Sequence, residues 1–297
     1  MRRAIVTLAI GSKYKERWNN LCRTNWSEYA LKHEIDIVIL DKNLDSSPRA
    51  ESRSPAWQKC LIFEQNDILK YDQVAWFDTD IFFNVKDAPN IFDEVPSHKV
   101  GAVNSFSDPT YVENQLALIR LWEIFKKNAD CAGILKYKTP EDIYTAYGEP
   151  VYPISKMLNA GVLVASPKHH REIFRRVYDN YEDRGPSSYY ENVPLSFELI
   201  SNDLVHWLDP RFNHLWTWSK LLHYPFLMGA GRTFKDKVLR HSARLMGNDY
   251  ETRVKATCAT TALMNCYCLH FAGYAGEMDL IDFGVLKQGM GYNLGIR

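Results

Sequence analysis

The sequence predicts an α/β protein with a mostly parallel central sheet, flanking helices and a mixed helical region toward the C-terminus. Three apolar strands stand out near the start: AIVTLAI (4–10), IDIVIL (35–40) and VAWFDTDIFF (74–83). Each alternates with a segment that has helical periodicity or helix-capping residues. Near-continuous apolar strands that alternate with helices are typical of parallel sheets covered on both faces.

The helices between these strands have their own signals. Residues 13–32 carry apolar side chains at helical spacing, and Ser54-Pro55 offers a cap and a first-turn proline to a second helix. No repeat or linker is visible, so one domain is expected over residues 1–297. The rest of the chain is predicted to contain a helix at 112–127, a loop-rich insertion at 130–157, a strand at 161–165 with a helix after Ser166-Pro167, a strand at 205–209, helices near 233–246 and 250–264, and a last strand at 267–273.

Composition and charge limit the classes of function. The chain is 46% hydrophobic, and its 36 basic and 36 acidic residues balance, so it can build a large core and has no net charge. A neutral chain is not expected to bind nucleic acid or a membrane surface as its main role. No segment has the roughly 20 apolar residues that a membrane-spanning helix needs.

The N-terminus and the cysteines predict a cytoplasmic location. The apolar run that follows Arg3 ends at Ile10, which is too short for a signal peptide and is better explained as a strand. The six cysteines are scattered and match no zinc spacing, as expected of a reduced compartment.

The segment VAWFDTDIFF carries the clearest chemical signal. Asp78 and Asp80 lie two residues apart in what is predicted to be one strand, so their side chains are expected on the same side, near the strand's carboxyl end. Ligands of open α/β sheets bind at that edge, and paired carboxylates suit Mg²⁺ or Mn²⁺ together with phosphates. The alternative is structural: one aspartate caps a turn and the other pairs with a surface arginine.

Four segments together resemble the glycosyltransferases of family 8, the glycogenin and lipopolysaccharide galactosyltransferase type, which have the GT-A, Rossmann-like fold. The D-T-D motif resembles their metal-binding motif. The other three matching segments are LNAGVLVAS (158–166), VHWLDPRFNH (205–214) and CLHFAGYAGEM (268–278), in the order and spacing of that family over nearly the whole chain. The resemblance implies a nucleotide-sugar half at about 1–110 and an acceptor and catalytic half at about 111–297.

The resemblance also implies a metal site. The family's C-terminal histidine, a metal ligand, corresponds to His270, which would join Asp78 and Asp80 around Mn²⁺ or, less suited to imidazole, Mg²⁺. An ordinary core histidine is the alternative, because Leu269 and Phe271 flank it. The family's Lys-Pro-Trp, whose lysine reaches the donor diphosphate, is missing here, so another cation or the metal must hold the phosphates.

The donor is expected to be a nucleotide sugar, with UDP-sugars favoured, bound at the edge of the sheet. Asp41 has a competing explanation as a turn former, and Arg53 and Lys59 each have one as a surface charge. The expected donor-binding residues are Thr7, Leu8 and Ala9 at the end of the first strand, Asp41 after the second, Arg53 and Lys59 before the third, Asp78 and Thr79 in the motif, Asn159, Ala160 and Gly161 beside the sugar, and Gly273 after the last strand.

The catalytic residues are expected in YYENVPLSFEL (189–199), where the family has an acidic segment beside the reactive carbon. Glu191 is the predicted nucleophile, stabiliser or base, and Asn192 its neighbour; a helix start that favours an acidic residue is the alternative. The acceptor is expected to be a glycan or another hydroxyl, with the aromatic residues of 214–224 as a platform. The oligomeric state is left open.

Three other functions compete with a retaining, metal-dependent glycosyltransferase. A haloacid-dehalogenase-type phosphatase carries its D-x-D on the first strand, and a sugar nucleotidyltransferase opens with a glycine-rich loop, of which only Gly11 is present. A protein that binds nucleotide sugars or glycans without turnover is compatible with the missing Lys-Pro-Trp.

Overall fold

Two sheets organise the protein. The computed structural model describes residues 1–106, 139–149, 154–185, 189–228, 234–245, 247 and 250–288. The larger sheet has six strands in the order β2-β1-β3-β6-β5-β7, and the smaller has three in the order β4-β9-β8. The strands are β1 (Arg3–Leu8), β2 (Asp36–Leu40), β3 (Gln73–Phe77), β4 (Ile81–Phe83), β5 (Val100–Asn104), β6 (Leu158–Ala165), β7 (Val205–Trp207), β8 (His214–Leu215) and β9 (Cys268–His270).

Helices cover the sheets and connect the strands. None of the helices in the described ranges is long and apolar enough to cross a membrane. The α-helices are α1 (Ser12–Arg17), α2 (Arg23–His33), α3 (Pro48–Glu51), α4 (Asn66–Leu69), α5 (Pro140–Tyr147), α6 (Pro167–Asn180), α7 (Asn192–Ser201), α8 (Trp216–Leu222), α9 (Phe234–Leu245), α10 (Tyr250–Met264) and α11 (Phe283–Gln288); a π-turn joins α1 to α2 at Trp18–Cys22, and 3₁₀ segments lie at Pro55–Glu64, Pro210–Asn213, Pro225–Met228 and Ala275–Leu280.

The mostly parallel sheet predicted from the sequence is confirmed, with one exception. Strand β1 pairs in parallel with β2 and β3, and β5 pairs in parallel with β7. Strand β6 runs antiparallel to both β3 and β5, although it has the same near-continuous run of apolar residues as its neighbours. The direction of a strand depends on the chain segment that leads into it and not on its own residues. Parallel and antiparallel pairing both satisfy the backbone hydrogen bonds of a strand that is buried on both faces.

The core lies on both faces of the larger sheet. Along β1, Ala4 and Val6 pack into one buried cluster and Ile5 into the other, as alternation along a strand requires. The first cluster includes Trp57 and Phe174, and the second includes the fully buried Trp26. Burial of apolar surface contributes about 25 cal/mol per Å², so such large side chains provide much of the free energy that the core gains from the hydrophobic effect.

Three local predictions need correction. VAWFDTDIFF forms two strands in different sheets, β3 and β4, because the chain turns at 78–80. The segment after Ser54 is a 3₁₀ helix with Pro55 in its first turn. The insertion predicted to be loop-rich contains α5, which Thr139 begins with a capping box to Asp142.

The remaining predictions on the fold have different outcomes. The helices at 13–32, 233–246 and 250–264 and the strands at 205–209 and 267–273 correspond to observed elements within a few residues. The helix predicted at 112–127 lies outside the described residues. The single-domain organisation stays a prediction. Among the described cysteines, Cys22, Cys60, Cys258, Cys266 and Cys268 are buried free thiols.

Candidate metal and ligand site

The turn between β3 and β4 carries the two aspartates. It is fixed by backbone hydrogen bonds: the Asp78 N–H donates to the Gly161 carbonyl over 2.9 Å, and the Phe271 N–H donates to the Asp80 carbonyl over 2.9 Å. The carbonyl of Thr79 accepts from the thiol of Cys22 at 3.3 Å. The carboxylates therefore meet because the backbone turns at Asp78–Asp80, and not by alternation along one strand as the sequence predicted.

His270 lies next to this turn because β9 pairs with β4. In that antiparallel register His270 is opposite Ile81, the residue that follows Asp80. One ligand atom from each of Asp78, Asp80 and His270 lies within 4.8 Å of the others. The structure thus brings together the three residues that the sequence singled out as metal ligands.

A side chain that the prediction missed orients His270. The Nδ1 atom of His270 lies 2.8 Å from Oδ1 of Asn213, and since a carboxamide oxygen only accepts, Nδ1 carries the proton. The other nitrogen, Nε2, then faces the aspartates, 3.2 Å from Oδ1 of Asp80. This outer hydrogen bond is typical of histidines that bind metals. Asn213 lies in VHWLDPRFNH (205–214), for which the sequence predicted no part in the metal site.

Gly161 leaves room for the imidazole ring. A Cβ atom at this position would lie 2.5 Å from Cε1 and 2.9 Å from Nδ1 of His270, closer than atoms can approach without movement. The sequence placed Gly161 beside the donor sugar, and the neighbour observed is His270.

The charges of the site are mutually stabilised. Burial would lower the pKa of His270, but the carboxylates of Asp80 and Asp78 outweigh burial and raise it. Burial would likewise raise the pKa of Asp80, and the imidazole of His270 reverses that shift and lowers it. Each of His270 and Asp80 therefore favours the charged form of the other across their 3.2 Å contact.

A buried lysine connects Asp78 to Glu191. The Nζ atom of Lys59 lies 3.3 Å from Oδ1 of Asp78 and 2.9 Å from Oε1 of Glu191. It also donates to the carbonyl of Ala160 over 3.0 Å. Burial would lower the pKa of Lys59, but the two carboxylates raise it, so the ammonium stays charged. Trp76 donates from Nε1 to the same Asp78 oxygen over 2.8 Å.

Glu191 and Asn192 lie where the chain enters α7. Glu191 is 3% exposed, and its Oε2 atom has no hydrogen-bond partner among the described residues. Two tyrosines precede it in the left-handed region, Tyr189 at φ 58° and Tyr190 at φ 52°. Asn192 uses both ends of its amide on β6, accepting from the Ala160 N–H over 2.6 Å and donating to the Leu158 carbonyl over 3.0 Å.

The residues predicted at the ends of β1 and β2 have local partners. The Thr7 hydroxyl donates to the Phe77 carbonyl over 2.6 Å, and the Ala9 N–H donates to the Leu40 carbonyl over 2.8 Å. Leu8 is partly buried against the core cluster that contains Val6. The carboxylate of Asp41 is exposed and pairs with Lys15 over 2.6 Å, which lowers the pKa of Asp41.

The other residues predicted to contact the donor differ in how many hydrogen bonds they already make within the protein. The guanidinium of Arg53 is buried and donates to the carbonyls of Tyr178 and Tyr181 at the end of α6. Asn159 accepts from the Gly161 N–H over 3.0 Å and is partly exposed. Gly273 has φ 73° in a tight turn after β9, a conformation that glycine adopts without strain, and open space surrounds the position of its Cβ.

The donor set fits a divalent cation. Two carboxylates and one imidazole provide hard oxygen ligands and a borderline nitrogen ligand, a combination that suits Mn²⁺ better than Mg²⁺. Asn213, Trp76 and Lys59 hold the ligands from behind, as metal sites require.

Comparisons with known proteins find similarity in solved structures alone. No protein-family model matches the sequence, and no curated protein is a significant match. The solved structures that match include a glycosyltransferase involved in the glycosylation of the major capsid of PBCV-1, with 12% identity, a TM-score of 0.48, and 96% of this chain and 99% of that chain covered.

Two further structures belong to the same class of enzyme. The galactosyltransferase LgtC, in complex with donor and acceptor sugar analogues, has 14% identity, a TM-score of 0.44 and coverage of 91% and 87%. Mouse xyloside xylosyltransferase 1 has 13% identity, a TM-score of 0.40 and coverage of 77% and 93%. Scores and identities this low do not assign a function, so the conclusion below depends on the site.

Proposed function

We propose that the protein is a metal-dependent glycosyltransferase that moves a sugar from a nucleotide sugar to a hydroxyl acceptor. The observation that carries the proposal is the convergence of Asp78, Asp80 and His270 within 4.8 Å at the edge of the larger sheet. Asn213 fixes the histidine so that Nε2 faces the aspartates, which a structural ion pair alone does not require.

Asp78, Asp80 and His270 are the residues that would hold the metal, for which Mn²⁺ is the better fit and Mg²⁺ the alternative. When bound, the cation neutralises the negative charge that develops on the departing nucleoside diphosphate. To bind it, His270 must give up the proton at Nε2.

Glu191 is the acidic residue proposed beside the reacting carbon. Its buried carboxylate pairs with Lys59 over 2.9 Å, and Oε2 has no partner among the described residues. A carboxylate at this place would stabilise a positively charged, oxocarbenium-like sugar or attack it directly, and both roles are compatible with retention of configuration. A retaining outcome is therefore proposed. The acceptor is proposed to be a glycan or another molecule with a free hydroxyl.

The donor is proposed to be a UDP-sugar, whose diphosphate depends on the metal. The cations nearest the predicted site, Lys59 and Arg53, already donate to protein oxygens. Helix α9 carries the further basic residues Lys237, Arg240 and Arg244, whose side chains the structure does not describe. We therefore expect nucleotide binding to be lost when the metal is removed.

A second candidate is a protein that binds nucleotide sugars without turnover. The observation that favours it is the sequence Ala275-Gly276-Glu277, which stands where the resembling family has Lys-Pro-Trp. In the structure Glu277 accepts hydrogen bonds from Trp216 and Lys220, so this stretch is built into the fold.

The test is release of nucleoside diphosphate from a panel of UDP- and GDP-sugars, with and without Mn²⁺. The wild type is compared with Asp80→Asn and with Asp67→Asn, which changes an exposed carboxylate on α4. We expect Mn²⁺-dependent release from at least one donor, lost in Asp80→Asn and kept in Asp67→Asn. Mn²⁺-dependent UDP binding without release favours the binding protein. Absence of both UDP binding and nucleoside diphosphate release would contradict the glycosyltransferase and the binding protein alike.

A further inference from the structure

We infer that Lys59 is a positioning residue that orients Asp78 and Glu191 and does not bind the donor phosphates. The inference rests on the proposed function and changes the role that the sequence suggested for this lysine. One ammonium group can donate three hydrogen bonds, which limits what Lys59 can bind.

An ammonium group has three protons, and Lys59 has three acceptors for them. Nζ lies 2.9 Å from Glu191 Oε1, 3.0 Å from the Ala160 carbonyl and 3.3 Å from Asp78 Oδ1. The side chain is 4% exposed, so these partners compensate its desolvation. No proton remains for a phosphate oxygen without breaking one of these contacts.

The first consequence is at Asp78. Its Oδ1 atom accepts from both Lys59 and Trp76, over 3.3 Å and 2.8 Å. Two donors on one carboxylate oxygen occupy its lone pairs, so Oδ2 is the oxygen left for the cation. Asp78 is therefore expected to be a monodentate ligand, with Lys59 selecting the oxygen.

The second consequence is at Glu191. Lys59 occupies Oε1, which leaves Oε2 as a buried acceptor without a partner among the described residues. Because a buried acceptor without a hydrogen bond is unfavourable, Oε2 is expected to gain a partner when a ligand binds. A hydroxyl-bearing ligand such as the donor sugar offers the matching hydrogen-bond donor.

The third consequence is a fixed spacing. The acceptors of Lys59 come from three elements: the β3–β4 turn, strand β6 and the start of α7. One ammonium group thereby sets the distance between the metal corner of the site and Glu191. Misplacement of a reacting group by about 1 Å can lower turnover about 100-fold. We therefore expect Lys59 to affect turnover by fixing this distance.

The test separates positioning from phosphate binding by comparing kcat with nucleotide affinity. Three variants are needed: Lys59→Met removes the ammonium, Lys59→Arg keeps the charge on a planar group with a different geometry, and Lys220→Met is the matched control. Lys220 is also buried and paired with one carboxylate, Glu277, but it has no contact with the three metal ligands.

At saturating Mn²⁺ we expect Lys59→Met to bind UDP, by calorimetry, within about threefold of wild type while kcat falls about 100-fold. Lys59→Arg is expected to show the same separation, because charge alone does not restore the geometry. Lys220→Met measures what loss of a buried lysine does to melting temperature, and its kcat per folded molecule is expected to match wild type. If Lys59→Met does not fold, Lys59→Arg carries the test.

Two results overturn the inference. A rise of about 100-fold in the Kd for UDP with kcat retained would make Lys59 a phosphate contact, and an unchanged kcat and Kd would make it purely structural. Wild-type protein that neither binds UDP nor releases it from any donor would instead overturn the proposed function, and the inference with it.

Discussion

Two buried histidines, His270 and His170, show how differently the same side chain can be used. The Nδ1 atom of His270 donates to Asn213, and Nε2 faces Asp80 over 3.2 Å. The Nδ1 atom of His170 accepts from the Ser166 N–H over 2.9 Å, at the start of α6. Both rings are almost fully buried.

The pKa values of the two histidines move in opposite directions. Burial is the main cause that lowers the pKa of His170 to about 4, and no carboxylate acts on it among the causes of this shift. For His270, the carboxylates of Asp80 and Asp78 outweigh the same burial effect. Burial alone makes a histidine a neutral core residue, whereas a pair of partly buried carboxylates beside it is typical of a binding site.

The largest expected effect is the loss of Mn²⁺ binding when His270, but not His170, is replaced. His270→Ala removes one of three ligands and is expected to abolish saturable Mn²⁺ binding, because Asp78 and Asp80 alone form a weaker, open site. His170→Asn keeps an acceptor near the position of Nδ1 and is expected to bind Mn²⁺ like the wild type. Isothermal calorimetry measures both, and equal affinities in the two variants would contradict the metal site.

A smaller effect is expected from the residue behind His270. Asn213→Leu removes the acceptor of the Nδ1 proton and leaves the ring free to rotate, so Mn²⁺ affinity is expected to fall about 10- to 100-fold. Asn213→Asp keeps an acceptor and is expected to retain affinity. The measurement is Mn²⁺ titration followed by electron paramagnetic resonance of the free ion. Unchanged affinity in Asn213→Leu would show that the hydrogen bond does not orient the ligand.

The smallest expected effect concerns the pH dependence of stability at His170. In the unfolded chain its pKa returns to 6.5, so the unfolded state binds a proton that the folded state refuses between pH 6.5 and 4. Stability therefore falls as the pH falls through this window, by about 2 kcal/mol at pH 5. His170→Asn is expected to lose that contribution, as measured by urea unfolding at pH 7.5 and 5. His169→Asn, an exposed neighbour, is the control, and equal slopes for both variants would contradict the assignment.

Much of the fold follows from local patterns. The strands β1, β2 and β3 and the long helices have periodic apolar residues, and tertiary packing preserved those elements. The direction of β6 did not follow, because a strand buried on both faces looks the same in either direction. The break at Asp78–Asp80 was hidden by the apolar residues on both sides, which suit two strands as well as one.

The site could be predicted only in part. Asp78, Asp80 and His270 were accessible through spacing and resemblance, and the structure brings them together. The roles of Asn213, Gly161 and Lys59 depend on contacts between elements far apart in sequence, such as Lys59 and Glu191. A single sequence has no signal for such contacts, because any exposed or buried polar residue satisfies its local pattern equally well.

The left-handed backbone at Tyr189 and Tyr190 has a consequence for how this protein could be engineered. Two bulky residues at φ 58° and 52° are strained by about 1–2 kcal/mol each, and they immediately precede Glu191. Glycine at Tyr190 would relieve part of that strain but loosen the approach to α7. A Tyr190→Gly variant is thus expected to change the heat tolerance of the protein and the placement of Glu191 together.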